Sequence, residues 1–94
     1  MLTAYYFSAK WCLPCKTFKQ PALSLLAAKG IPITQVDVDD EWDLAETFRV
    51  HSVPTIIFVG DEPDQAYGPS NEKARLVGAS VPNLVKLIAE VNGG

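Results

Sequence analysis

The sequence predicts an α/β fold, a three-layer α/β/α sandwich whose strands and helices follow the order βαβαββα. Three observations predict it. Leu2 to Phe7 and Thr55 to Val59 are apolar on both alternating faces, as strands covered on both sides of a sheet must be. Between them, Phe18, Ala22, Leu25 and Leu26 recur at helical spacing, which implies a crossover helix between strands. The 94 residues, set against a usual size of about 150 per domain, leave room for one domain spanning 1–94.

Each element has a local reason. Aromatic crowding in Leu2 to Phe7 suits a central strand. The first helix spans about Leu13 to Lys29, and Gly30 supplies the left-handed stop. Pro21 falls inside it, removing one backbone bond and predicting a kink. Ile33 to Val38 alternates as a second strand, with Thr34, Val36 and Val38 on one face. A short helix from Glu41 to about Arg49 follows, with Asp40 as its cap and Leu44 and Phe48 facing inward. Pro54 opens the third strand. Gly60 to Glu72 has turn residues and no period, so it reads as a long loop. Lys73 to Val77 alternates charged with apolar residues, as an edge strand does. After Gly78, Ser80 caps the last helix, Pro82 sits in its first turn, and Leu84, Leu87, Ile88 and Val91 form its buried stripe.

Composition excludes several classes of function. A hydrophobic share of 48% with 20% charged residues excludes disorder, and no apolar run approaches the roughly 18 residues that cross a membrane. Eight basic against eleven acidic residues leave a net charge of −3, so no cationic surface for nucleic acid is expected. The two cysteines are too few and too close to staple distant segments, which points to chemistry rather than scaffold. Met1 to Phe7 lacks the basic start and apolar core of a secretory leader, and a cytoplasmic, reducing location is the expectation.

The informative segment is Trp11-Cys12-Leu13-Pro14-Cys15-Lys16, at the junction of first strand and first helix. Backbone N–H groups and the dipole at a helix start favour negative charge, so Cys12 is held toward its thiolate and is the nucleophile. Cys15, one turn deeper on the same side, can reach the Cys12 sulfur and is the resolving thiol. Pro14 occupies the first turn, where its missing N–H costs nothing. Two other readings compete. The pair could be half of a zinc site, with His51 and an aspartate completing it, or two small buried residues filling the core. Trp11 and Lys16 beside the pair suggest an exposed rim, which favours redox chemistry.

Five of those six residues match WCGPCK, and the segment resembles the active-site signature of the thioredoxin family. Ser52-Val53-Pro54-Thr55 before Ile56-Ile57-Phe58 is similar to the family's cis-proline segment, and Val77-Gly78-Ala79 to its glycine before the last helix. The resemblance implies a four-stranded mixed sheet lacking the usual N-terminal strand and helix. It also implies a cis bond at Val53-Pro54 and substrate contacts at Trp11, Leu13, Pro14, Val53 and Pro54. There are departures. Tyr6 stands where the family commonly buries an aspartate and Gln35 where it places a lysine, so the usual proton-handling pair is absent. Ser8 replaces an aromatic, Leu13 a glycine, and Pro21 lies one residue beyond the family's kink proline.

The resemblance implies a thiol–disulfide oxidoreductase that reduces protein disulfides, with the Cys12–Cys15 dithiol as redox centre and no other cofactor or metal. A flavoprotein thioredoxin reductase is the implied electron donor, and a monomer is expected. A glutaredoxin-like, glutathione-dependent reductase is the alternative within redox chemistry, although a CPYC site and a Gly-Gly segment are missing. A binding module on this scaffold, with Gly60 to Glu72 as contact loop, is the alternative from another class. Trp42 is expected to pack against its helix, and His51 to be an ordinary surface or turn residue.

Overall fold

Strands and helices alternate in the expected order along residues 2–60 and 71–93, the residues that the computed structural model describes. They are β1 (Leu2–Ser8), α1 (Leu13–Ala28), β2 (Ile33–Asp37), α2 (Trp42–Thr47), β3 (Thr55–Gly60), β4 (Glu72–Val77) and α3 (Val81–Gly93). The strands form one four-stranded mixed sheet in the order β2-β1-β3-β4. β1 pairs parallel with β2 and antiparallel with β3, so the strand that leads to the cysteines is central. β4 pairs antiparallel with β3 and is an edge. Most of the loop expected between Gly60 and Glu72 lies outside the described residues.

The two faces of the sheet separate along β1. Ala4 and Tyr6 point toward α1 and α3, where they join Phe18, Ala22, Leu26, Leu84 and Ile88 with Ile56 and Phe58 of β3. Phe7 points the other way and packs with Val36, Ala45, Phe48, Ile57 and Val59 under α2. Each of these large side chains, fully buried, contributes about 1.5–3 kcal/mol. Every residue of β3 is buried, which is why its sequence is an unbroken apolar run. Helix α1 continues through Pro21, and Gly30 follows it at φ 70°.

Three expectations need correction around α2. The helix ends at Thr47 rather than near Arg49. Its N-cap is Glu41, with no side-chain hydrogen bond, because the backbone N–H groups of Asp40 and Glu41 turn back onto the Asp37 carbonyl. Trp42 does not pack against its helix: it is 65% exposed, since the inward face of so short a helix is filled by Ala45, with Phe48 just beyond its end. The exit of α2 is a tight left-handed turn. Arg49 has φ 56°, its N–H reaches the Glu46 carbonyl at 3.0 Å, and the Val50 N–H reaches Ala45 at 2.8 Å. That pairing closes the helix but leaves the Phe48 and Arg49 carbonyls free for partners from elsewhere.

Candidate functional site

The dithiol is built by the junction of β1 and α1. Cys12 is the N-cap of α1, with extended backbone angles of φ −88° and ψ 105°. Its Sγ accepts the Cys15 N–H at 3.2 Å, the position a serine or aspartate oxygen takes in an ordinary cap. Cys12 and Cys15 are joined as a disulfide with their Cα atoms 5.3 Å apart. Once reduced, the same N–H and the helix start stabilise a thiolate on Cys12. Both cysteines are nearly buried, while Trp11 and Leu13 beside them are 68% and 72% exposed. The hydrophobic surface around the sulfurs is thus open to a partner, and Pro14 lies in the first helical turn as expected.

The segment before β3 reaches the same place. The Val53-Pro54 bond is cis, and the Val53 carbonyl oxygen lies 3.7 Å from Cys12 Sγ. In the disulfide that sulfur carries no hydrogen, so this is a contact that becomes a weak hydrogen bond only in the thiol form. The segment is held on either side of Val53. The Thr55 hydroxyl donates to the Ser52 carbonyl at 2.8 Å, and the Gly78 N–H donates to the Pro54 carbonyl at 2.9 Å. Gly78 can do so at φ 104°, a conformation that a side chain would strain. Among the described residues no backbone group pairs with Val53, which leaves its N–H and C=O to an incoming extended chain. Trp11 fixes the other wall: its indole Nε1–H donates to Asp39 at 2.9 Å, and the groove between them is completed by Val38, Val50, His51 and Ser52. His51 is exposed, as a turn residue should be.

Beneath Cys15 lies Tyr6, fully buried, whose hydroxyl donates to the Cys15 carbonyl at 3.0 Å. Burial pushes the Tyr6 phenol above its ordinary value, so near neutral pH it is a donor and not a proton acceptor. A cleft lined by Tyr6, Ser8, Lys10, Cys15, Lys16, Lys19, Gln35 and Asp37 opens beside it. Three lysines and one aspartate thus line the cleft that borders Cys15 on this side. The zinc reading requires further ligands near the pair, and among the described residues no three His, Cys, Asp or Glu side chains gather.

The structure brings Trp11, Cys12, Leu13, Pro14, Cys15, Val53 and Pro54 to one end of the sheet. Sequence reasoning missed Asp39, Thr55 and the Tyr6 hydroxyl. An acidic turn after β2 was the only mark of the first, and the others act through backbone carbonyls that leave no mark at all.

Comparison with known proteins extends this picture. The family model described as Thioredoxin matches residues 2–80. A mitochondrial thioredoxin of Mus musculus is 38% identical over 71 residues, covering 70% of this chain and 42% of the relative. A thioredoxin of Chlamydia pneumoniae is 38% identical over 74 residues, covering 77% and 64%. The solved structure of Fasciola hepatica thioredoxin superposes with a TM-score of 0.80 at 26% identity, covering 95% of this chain and 79% of the other. The chain spans between 22% and 66% of the length of the curated relatives it matches.

Proposed function

Because this chain belongs to the thioredoxin family, we propose that it is a thiol–disulfide oxidoreductase that reduces disulfides in other proteins. The observation that carries this is a cysteine pair at a helix start, with the free Val53 backbone beside the leading sulfur. A substrate strand pairs with Val53, which aims its disulfide at Cys12. The Cys12 thiolate attacks one substrate sulfur, the substrate S–S bond breaks, and the first substrate thiolate leaves. A mixed disulfide now joins Cys12 to the substrate. Cys15 then loses its proton to water in the Lys-lined cleft and attacks Cys12 Sγ. The second substrate thiolate departs, and two electrons have passed from the dithiol to the substrate.

The oxidised dithiol needs an external reductant. A flavoprotein thioredoxin reductase is our proposed donor, with glutathione as the competitor. The chain acts as a monomer in a reducing, cytoplasmic setting, and the dithiol is its only redox group. This reading is supported by the use of both cysteines in the site, none being left for a structural bridge. The test is turnover of insulin disulfides, coupled in one arm to NADPH and a flavoprotein reductase and in the other to glutathione. Turnover in the first arm only is expected. Turnover with glutathione alone would make the protein glutaredoxin-like, and none in either arm would leave a binding module.

A further inference from the structure

We propose that Arg75, on the edge strand β4, is a positioning residue for substrate docking: it fixes the exit of α2 and thereby the path of residues 50–53 beside Cys12. This rests on the reductase reading above and goes beyond it by naming what holds the docking segment in place.

Arg75 faces the α2 side of the sheet opposite Ile57. Its guanidinium makes a bidentate pair with Glu72, Nε and Nη2 each donating to a carboxylate oxygen at 2.7 Å. The same fork reaches the end of α2. Nη2 donates to the Phe48 carbonyl at 2.7 Å and Nη1 to the Arg49 carbonyl at 3.3 Å. These are the two carbonyls that the left-handed turn at Arg49 leaves open. A cation there also complements the negative end of the helix. Glu72 aims the fork, and the planar guanidinium holds both carboxylate oxygens while donating to the two carbonyls, four bonds where an ammonium has only three donors.

The consequence lies downstream. From Arg49 the chain runs through Val50, His51 and Ser52 to Val53; the Val50 N–H is tied to the Ala45 carbonyl, the Thr55 hydroxyl holds the Ser52 carbonyl, and the Gly78 N–H holds the Pro54 carbonyl. Arg75 and Gly78 lie three residues apart, so both ends of the docking segment are anchored to the same edge of the sheet. Without Arg75 the Phe48 and Arg49 carbonyls lose their side-chain partner, and the upstream end keeps only the Arg49 and Val50 N–H bonds to α2 and the Thr55 hold on Ser52. Helix α2 itself should survive, because Ala45 and Phe48 keep their apolar contacts and the rim carbonyls can turn to water.

The test compares a substrate that uses the docking segment with one that does not. Steady-state reduction of insulin and of the small disulfide dithiobis-nitrobenzoate is measured for wild type, Arg75→Met and Arg75→Lys, well below their melting temperatures. For Arg75→Met the KM for insulin should rise about tenfold with kcat little changed, and the rate with the small disulfide should stay within about twofold of wild type. Arg75→Lys should fall between, since it keeps the charge and loses the fork. An unchanged insulin KM, or equal losses on both substrates, overturns the proposal while leaving the reductase reading intact. A wild type inactive on both substrates overturns both. Should Arg75→Met fail to fold, Glu72→Gln carries the same test, with a smaller rise in insulin KM expected and no rise counting against the proposal.

Discussion

Tyr6 and Phe7 are neighbours on β1 that point to opposite faces of the sheet, and each face carries half of the site. On the Tyr6 side, α1 with 16 residues and α3 with 13 bury a deep apolar cluster, and the cysteines ride on the first turn of that well-packed helix. On the Phe7 side, among the described residues, the cover is α2 alone, with six. A helix that short has no stability of its own. Aromatic contacts hold it, Phe48 lying 5.3 Å from Tyr5 and 5.8 Å from Phe7 between ring centroids, and polar tethers from Arg75, Thr55 and Gly78 set where the following chain goes. Packing thus fixes the reacting sulfurs, while hydrogen bonds to backbone carbonyls fix the substrate-docking segment.

The most severe way to break this division is through the sulfurs. Cys12→Ser should abolish insulin reduction, a loss of at least about a thousandfold, since the remaining thiol, Cys15, lies inside the helix rather than at its N-cap beside Val53. Cys15→Ser should retain the attack and accumulate protein–substrate disulfides, visible on a non-reducing gel and released by dithiothreitol. Trapping by Cys12→Ser instead would reverse the two roles.

Next come the two cores. Leu84 is fully buried on the Tyr6 side, so Leu84→Ala should cost about 2–5 kcal/mol in urea unfolding. Phe48→Ala should cost a similar amount, about 3–5 kcal/mol. Their kinetics should differ. Leu84→Ala should leave the insulin KM unchanged at temperatures where it is folded, whereas Phe48→Ala should raise it, because the docking segment begins two residues beyond Phe48. Equal kinetic behaviour would erase the distinction between the faces. A finer probe is Thr55→Val, nearly isosteric, which removes the hydroxyl that holds Ser52: about 1 kcal/mol of stability and a modest rise in insulin KM are expected.

The same division explains what the sequence could disclose. The dithiol, the apolar β3 and the stripe of α3 were legible because their meaning lies in local spacing and period. The cis Val53-Pro54 bond and the four-stranded sheet came through resemblance in Ser52 to Phe58 and in the WCLPCK segment. The polar tethers were illegible. Arg75 in an alternating strand reads as a solvated edge charge, and its acceptors are backbone carbonyls 26 and 27 residues away. Trp42 and Asp40 failed for the opposite reason: a helical period and a capping residue were present, but the Asp37 carbonyl captured the turn and the helix stayed too short to use them.

The smallest effect, and the sharpest contrast between faces, belongs to the tyrosines. Tyr6→Phe removes the hydroxyl that donates to the Cys15 carbonyl without opening a cavity, so about 1 kcal/mol of stability should be lost near neutral pH. The rate of insulin reduction across pH should keep its shape, because a phenol pushed up by burial holds its proton throughout the range in which thiols ionise. Alkaline stability behaves differently. Unfolded tyrosine titrates near pH 10, and folded Tyr6 titrates higher, so above about pH 10 the unfolded state sheds a proton that the folded state retains. Stability is intact below that value and falls as pH rises through it toward the folded pKa. Tyr5 is also raised by burial, but it is only half-buried on the thinner face. Urea unfolding at about pH 7 and about pH 10.5 should therefore show a loss in wild type that Tyr6→Phe reduces more than Tyr5→Phe does. Equal relief from the two substitutions would mean that the faces bury their tyrosines alike. A changed pH profile for insulin reduction in Tyr6→Phe would mean that the hydroxyl takes part in deprotonating Cys15, and that packing alone does not prepare the resolving sulfur.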